Sequence, residues 1–425
     1  MKLELIVPAT HENQGKPRKA ILPPLGMAVI AALTPPDVEV ILTDENVAPI
    51  NFQKDVDLVG ITSLTSTSQR AYKIADTFRA IGKKVVLGGI HPSILPEESS
   101  QHADAIVIGE AEGIWPYVIE DFKANKLRKI YRQNIRPSLV GLPNPRRDLF
   151  AKGSYYFTNT LFTTRGCPYS CSFCTVTSFF GHTYRCRPIS EVINEIKTLN
   201  RKKLFIFLDD NIVGSPNYAK ELFAALIPLK IKWVGQCSVT IAKDDELLKL
   251  AAASGCIDLF IGFESLSPNN LAAVGKKINT VDEYEAIIKK LHNAGIGVHG
   301  FFIFGLDGDD TGSFKRTVHF AQKNRLESAQ FDILTPYPGT AIYESLDKEA
   351  RIRNKDWSQY GHDLMFEPKS LTRELLQEGR TWAWREFYSL PSISKRIGVR
   401  HHDPFLFWVA NLYYYYQVHR LKSLH

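Results

Sequence analysis

No apolar stretch in the sequence reaches the ~20 residues needed to cross a bilayer, and the uncharged aromatic run at 405–416 stops at twelve. The first residues, MKLELIVPAT, read directly as a strand and lack the apolar segment of a secretory signal. Cysteine is scarce: six in 425 residues, at 167, 171, 174, 186, 237 and 256. Three are crowded together and three scattered, which argues against a disulfide framework and fits a reducing compartment. No G-x-G-x-x-G follows the first predicted strand, which argues against a dinucleotide site. Charge of one sign is not in large excess; 52 Lys and Arg against 45 Asp and Glu leave +7, a mildly basic exterior. The expectation is a cytoplasmic chain, and 425 residues with 44% apolar composition suffice for two or three ordinary domains.

What is present is organised around Cys167-Pro-Tyr-Ser-Cys171-Ser-Phe-Cys174. Thiolates are soft ligands that suit iron–sulfur clusters, and a [4Fe–4S] cluster ordinarily takes four. Three would hold three irons and leave the fourth open to a chelating small molecule, as an open position marks a catalytic metal site. Zinc or a buried thiol cluster is the competing reading. Zinc usually wants a second ligand pair, however, and no C-x2-C or H-x3-H partner follows.

Upstream, short apolar segments at 3–7, 38–42, 58–62, 84–87 and 105–108 alternate with helical patterns at 25–33, 69–81 and 113–123. That alternation predicts parallel βαβ units in an open, doubly wound sheet. Ligands of such sheets bind beyond the carboxyl ends of the strands. Polar or glycine-rich stretches fall at those ends: Thr62-Ser63-Leu64-Thr65, Gly88-Gly89-Ile90-His91 and Gly109-Glu110. Glycine lets backbone approach a bulky ligand, and hydroxyls can bond its polar edge. Residues 136–158, with prolines at 137, 143 and 145, read as an extended linker.

From 159 to 345 six strand–helix repeats are predicted. The strands fall at 161–164, 204–208, 232–234, 259–262, 297–304 and 328–334, with helices at 189–199, 218–226, 244–253, 281–294 and 312–323. Six βα units make a partial barrel, whose active site gathers at the C-terminal ends of the strands. Asp209-Asp210-Asn211, Gln236, Ser238, Glu264-Ser265 and the turn 335–340 lie there. A carboxylate at such a position can take an α-amino group; helix capping is the alternative for Asp209 and Asp210.

Cysteines spaced C-x3-C-x2-C after a first barrel strand, with Phe173 before the last, resemble the radical S-adenosylmethionine (SAM) superfamily. The upstream sheet with its three polar stretches resembles the subgroup with an N-terminal cobalamin-binding domain. The resemblance runs from about residue 3 to residue 345. It implies an α/β chain: a flavodoxin-like cobalamin domain over 1–135, the linker 136–158, a radical SAM partial (βα)6 barrel over 159–345, and a helical region over 346–425. It implies three cofactors: a [4Fe–4S] cluster on Cys167, Cys171 and Cys174, SAM, and cobalamin. Phe173, Asp209, Asp210, Gln236, Glu264 and Ser265 would then surround SAM. Thr62, Ser63, Thr65, Gly88, Gly89, His91, Gly109 and Glu110 would line the corrin and its nucleotide tail. Arg187 is a further candidate contact to SAM or cobalamin. The D-x-H-x-x-G motif that supplies a histidine to cobalt in the wider cobalamin family is missing; the matching loop reads Asp44-Glu45-Asn46-Val47-Ala48-Pro49. Cobalamin without a protein histidine on cobalt is therefore expected.

Such an enzyme takes an electron from a donor such as flavodoxin or ferredoxin and cleaves SAM to a 5′-deoxyadenosyl radical. The resemblance points first to methylation of an unactivated carbon. Cyclisation, ring contraction or oxidation on the same scaffold is an alternative, as is a non-catalytic corrinoid or iron–sulfur carrier. The tail reads as helical at 347–353, 371–388 and 404–421, and residues 372–425 hold eight Lys and Arg against four Asp and Glu. The aromatic run 405–416 with basic flanks suits a helix lying in a membrane interface or covering a lipophilic substrate. A helix packed on the barrel or on a second copy is the other reading. The partners expected are a small, lipophilic substrate, an electron donor and a peripheral membrane contact, with no nucleic acid.

Overall fold

In the computed structural model, which describes residues 1–9, 20–361, 363–397 and 404–420, the aliphatic runs build two separate parallel sheets. The first contains β1 (Lys2–Val7), β2 (Glu39–Asp44), β3 (Leu58–Thr62), β4 (Lys84–Gly88), β5 (Ala105–Ile108) and β6 (Ile130–Arg132). Their order is β2-β1-β3-β4-β5-β6, with every pair parallel. β5 is buried throughout and β3 nearly so, because helices cover both faces of a parallel sheet. Leu3, Leu5, Val86 and Val107 pack with Trp115 on one face. Ile6, Val59, Ile61 and Val85 pack with Tyr72 and Phe78 on the other. β6 lies outside the predicted strands. It has three residues and buries only Tyr131, too little to make a pattern.

The second sheet begins at β7 (Asn159–Leu161). The chain then leaves it: β8 (Thr164–Arg165) pairs antiparallel with β9 (Arg185–Cys186) in a two-stranded ribbon at the root of the cysteine loop. β10 (Phe205–Phe207), β11 (Trp233–Cys237), β12 (Cys256–Glu264), β13 (Gly297–Phe304) and β14 (Ser328–Ile333) follow. Their order is β14-β13-β12-β11-β10-β7, again all parallel. Residues 162–164, predicted as the end of the first strand, thus fall outside this sheet. Phe205, Trp233, Leu259 and Phe331 pack outward against helical residues such as Phe223, Leu291 and Val318. The C-terminal strand ends are left to line a cavity.

The tail completes this second unit. The helix predicted at 347–353 lies instead at Ala341–Lys348, where Thr340 caps it by accepting from the Tyr343 amide at 3.3 Å. Beyond it an irregular stretch reaches across to the first unit, and the Trp357 indole donates to Glu98 at 3.0 Å. Helix Arg373–Phe387, capped by Thr372, packs along β14. The Trp384 indole donates to the Phe331 carbonyl and the Tyr388 hydroxyl to the Ala329 carbonyl, both at 2.8 Å. These bonds cover the open edge of β14, which would otherwise present unpaired backbone groups. Arg396, buried on helix Leu390–Arg396, joins the tail to the barrel by donating to the Leu326 carbonyl (2.6 Å) and to Asn411 (2.9 Å). Asn411 belongs to helix Pro404–Arg420; residue 421, the predicted end of that helix, lies outside the described residues.

Candidate active site

The cysteine loop opens at Gly166, which sits at φ 86°. A Cβ there would lie 2.1 Å from the Thr183 carbonyl oxygen, so only glycine lets the loop cross the ribbon this closely. Cys167, Cys171 and Cys174 follow, half-buried, free of disulfides, and lining one cavity of about 1100 Å³. Burial pushes all three thiols up, Cys174 to about 11. Metal binding would have to displace those protons. Among the described residues no three His, Cys, Asp or Glu converge on a single-ion site. A multi-iron cluster takes one thiolate per iron, and the three thiols share one cavity. Cys186 sits in the ribbon opposite Thr164 and is not part of the cavity lining.

Beside the cysteines the strand ends present a polar ring. Asp210 accepts from the Gly166 amide at 3.0 Å, and burial raises its pKa. Asn211 stands 3.9 Å from the Cys167 sulfur and accepts from the Ser238 amide at 3.0 Å. Gln236 opens to the cavity from β11. Glu264 ends β12 at φ 63°, a left-handed backbone rarely adopted by a residue with a side chain and a mark of functional sites. Lys276 pairs with it at 2.8 Å. Burial alone would lower the Lys276 pKa, but the Glu264 carboxylate and the nearby thiols more than offset this and hold the ammonium above its ordinary range. Phe173 closes the same wall. This end of the cavity thus offers soft thiol donors, carboxylates and one buried cation, a set suited to a cluster and a zwitterionic ligand.

Several predicted contacts are turned inward instead. Asp209 is buried behind the ring and accepts from the amide and hydroxyl of both Thr163 and Thr164, at 2.6–3.1 Å. It clamps the start of the cysteine loop and does not line the cavity. The Ser265 hydroxyl accepts from the Ser267 amide at 3.1 Å and is buried away from the cavity. Arg187 is buried and does not line the cavity: it pairs with Glu195 at 2.6 Å and donates to the Phe162 carbonyl.

In the first unit, the loops after β3, β4 and β5 meet in one crevice, laced by bonds from the His91 amide to the Ser63 carbonyl (3.1 Å) and from the Gly109 amide to Ser93 (2.9 Å). Gly89, at φ 101°, leaves no room for a Cβ, which would fall 2.8 Å from Ser63. Backbone at Gly88, Gly89 and Gly109, at the ends of β4 and β5, thus carries no side chain beside the exposed Leu64, a surface that a bulky ligand could approach closely. Thr62 lies beside Gly89 there, while Ser63 and Thr65 are buried. His91 is a correction: its ring is 0% exposed, bonded to the Tyr72 hydroxyl (3.0 Å) beneath the crevice, with its pKa lowered chiefly by burial. Glu110 is another. It pairs with Arg165 at 2.7 Å and Arg185 at 2.6 Å, and Arg165 also holds Glu112. These charges fasten the first unit to the root of the cysteine loop.

Residues 161–321 match the model of the radical SAM superfamily, and residues 16–118 that of the B12 binding domain. Bacteriochlorophyllide d C-12(1)-methyltransferase of Chlorobaculum tepidum is 35% identical over 92% of this chain and 88% of its own length. The chain belongs to the radical SAM enzymes with a B12-binding domain. Bacteriochlorophyllide d C-8(2)-methyltransferase of the same organism is 33% identical over 79% of this chain and 78% of its own. Among solved structures, the radical SAM methyltransferase TsrM from Kitasatospora setae, with cobalamin and a [4Fe–4S] cluster bound, has a TM-score of 0.67. At 18% identity, covering 83% of this chain and 79% of that one, it shows a shared fold. This radical SAM/B12 enzyme is of the methyltransferase kind, with a [4Fe–4S] cluster, SAM and cobalamin as cofactors.

Among the cavity residues of this radical SAM/B12 enzyme that sequence reasoning missed are three charged ones, Lys276, Asp332 and Arg380. Lys276 follows β12 in a polar stretch that reads as surface. Asp332 and Arg380 face the cavity from β14 and the tail helix. Period-2 burial along β14 could have flagged Asp332, which alternates with buried Phe331; nothing local marks Arg380.

Proposed function

We propose that the enzyme methylates an unactivated carbon of a flat, apolar macrocycle of the tetrapyrrole class. The observation that carries this is the cavity. At about 1100 Å³ it exceeds what one drug-sized ligand fills. SAM at the cysteine end leaves a second part of the cavity, walled by Phe301, Ile303, Leu334, Tyr337 and Trp382 and edged by the charged Glu374, Glu378, Arg380 and Arg385 of the tail helix. The two bacteriochlorophyllide methyltransferases that span most of this chain support a macrocyclic substrate. In this reading Cys167, Cys171 and Cys174 hold the cluster. Asp210, Gln236 and Glu264 with Lys276 orient SAM, and Phe173 keeps water from the cluster. The surface at Gly88, Gly89, Gly109 and Leu64 takes cobalamin, without a histidine on cobalt. The cobalamin unit ends near residue 135, the barrel spans 159–345, and the tail helices close the substrate side. When bound, the cofactors supply the electron acceptor, hydrogen abstraction and the methyl group. A flavodoxin- or ferredoxin-type donor reduces the cluster, and the setting is cytoplasmic.

A peripheral membrane contact is part of the proposal, carried by one observation. Phe405, Val409, Leu412, Tyr413 and Tyr416 form an exposed apolar stripe on helix Pro404–Arg420. No helix among the described residues is long and apolar enough to cross a membrane.

The deciding experiment is anaerobic reconstitution followed by incubation with SAM, a reductant and a bacteriochlorophyllide. 5′-Deoxyadenosine, S-adenosylhomocysteine and a product heavier by one methylene unit are expected together. 5′-Deoxyadenosine without S-adenosylhomocysteine would point to rearrangement or oxidation and refute methyl transfer.

A further inference from the structure

We infer that Trp357 and Glu98 are positioning residues: they clasp the substrate side of the barrel cavity to the first unit, so that a ligand in the crevice of that unit steadies the wall that holds the substrate. This rests on the crevice as the cobalamin site, proposed above. Between the tail helices Ala341–Lys348 and Arg373–Phe387 the chain forms a strap. Its two arms pair where the Arg353 amide donates to the Met365 carbonyl (3.0 Å) and the Glu367 amide to the Arg351 carbonyl (2.9 Å). Arg351 fixes its root on the barrel by holding Asp307 at 2.6 Å. Its tip, at Trp357–Tyr360, packs instead on the first unit. There the Trp357 indole nitrogen lies 3.0 Å from both carboxylate oxygens of Glu98. Glu98 also accepts from the Tyr72 hydroxyl (3.0 Å), which bonds His91 (3.0 Å), and the Trp357 ring meets the His91 ring edge-on at 5.6 Å.

His91 belongs to helix Ile90–Ile94, which leaves the crevice at Gly89. The far end of the same helix reaches the cavity turn. A Cβ on Gly339 would fall 2.8 Å from the Ile94 side chain, and Leu95 packs on the cluster of Tyr343, Trp357 and Tyr360. From the tip back to the cavity the path is short. The Tyr360 ring lies 5.0 Å from Trp357 and 6.0 Å from Tyr337, and Tyr337, Gly361 and Leu364 line the cavity. Methyl transfer joins a group carried by one unit to a carbon held by the other. Reacting atoms must stand about 3–3.5 Å apart, and a misplacement of about 1 Å costs about 100-fold. Two units with separate cores keep that register only through contacts that bind both. The ion pairs of Glu110 and Glu112 do this at the cysteine end; the clasp does it at the substrate end. A strap paired only at its arms is the part of the wall that opens locally most easily. Ligand that rigidifies the crevice loops lowers the ordering cost of the strap through His91, Glu98 and Trp357.

The test is amide hydrogen exchange of the full-length enzyme carrying cluster and SAM, with and without hydroxocobalamin. In wild type the corrinoid is expected to slow exchange about tenfold or more in the loops 62–65, 88–91 and 109–110, and about threefold or more at 358–361. In Trp357→Phe, which keeps an aromatic ring and loses the donor, the crevice loops stay protected and the strap no longer responds. Glu98→Ala behaves alike, and Glu98→Gln, whose amide oxygen still accepts from the indole, restores the response. A wild-type strap that ignores hydroxocobalamin while the crevice loops respond overturns the clasp and leaves the cobalamin site standing. So does a strap that exchanges faster in Trp357→Phe yet keeps its full response, since its tie to Glu98 is then structural only. Crevice loops that do not respond overturn both. If Glu98→Ala does not fold, Trp357→Phe and Glu98→Gln carry the test.

Discussion

Asp209 and Asp210 are adjacent, chemically identical and set to opposite tasks. Successive side chains at a strand end point to opposite sides. Asp209 turns into protein and takes four donors from Thr163 and Thr164; Asp210 turns into the cavity. Asp209→Ala strips a buried hub of its acceptor and is expected to lower unfolding stability by about 3 kcal/mol, read by chemical denaturation. Asp210→Asn is expected to keep stability within about 0.5 kcal/mol of wild type and to weaken SAM binding about tenfold, a loss worth ~1.4 kcal/mol. Equal stability losses in the two variants would refute this division. Asp332 makes a pH prediction. Burial raises its pKa to about 6, opposed by Arg380 and reinforced by Glu264. Its ordinary value is about 3.9. A carboxyl that holds its proton more tightly when folded adds stability below about pH 4 that is lost as pH climbs through 6. Wild type should therefore lose stability relative to Asp332→Asn as pH rises across that interval. Water in the cavity reaches this carboxylate although protein crowds its other sides, so screening keeps the change modest. A difference that stays flat with pH would show that burial does not control the group.

At the scale of elements, the loop after β5 was expected to touch cobalamin, and instead Glu110 and Glu112 hold Arg165 and Arg185 in the ribbon beneath the cysteine loop. Arg165 precedes Gly166, whose amide holds Asp210 of the cavity. The first unit and the root of the cysteine loop are thus joined through one net-neutral quartet, Glu110 buried and its three partners largely so. Removing one partner of such a set leaves an uncompensated buried charge and costs about 3–5 kcal/mol. Glu110→Gln is expected to lower the unfolding midpoint and to reduce cobalamin and iron content together. Loss of cobalamin alone would mean that Glu110 contacts the corrin after all. The contrast with the cysteines explains what was legible. A cluster motif is local, three ligands on eight residues, and long apolar strands buried on both faces announce themselves. Short pieces such as β6 and β8 carry no pattern. Ion pairs such as Glu110–Arg165 join residues 55 apart, so side-chain direction, which composition does not reveal, decided them. Polarity at a strand end located the crevice; it did not say which groups face out.

At the scale of the whole molecule, helix Pro404–Arg420 has two apolar faces. Phe407, Tyr414 and Val418 turn toward the barrel and tail core, with Asn411 bonded beneath them. Phe405, 77% exposed, begins the stripe that continues through Val409, Leu412, Tyr413 and Tyr416 at helical spacing. A helix apolar all round is normally buried, so the outer face calls for a cover. Residues 388–425 hold five Lys and Arg (395, 396, 400, 420 and 422) against the single acid Asp403. Arg396 is spent inside the fold, and 400 and 422 lie outside the described residues. That excess favours an anionic lipid surface over a second, equally basic copy of the chain. The full-length enzyme should sediment with vesicles rich in anionic lipid, and more weakly with zwitterionic ones. Replacing Phe405, Val409, Leu412 and Tyr413 with serine removes apolar area from the outer face alone, and at about 25 cal/mol per Å² should weaken binding at least tenfold. SAM cleavage and the circular dichroism spectrum should not change, because none of these side chains lines the cavity. Wild type that stays in the supernatant, but forms dimers that the same substitutions dissolve, would assign the stripe to self-association and remove the membrane from the proposal.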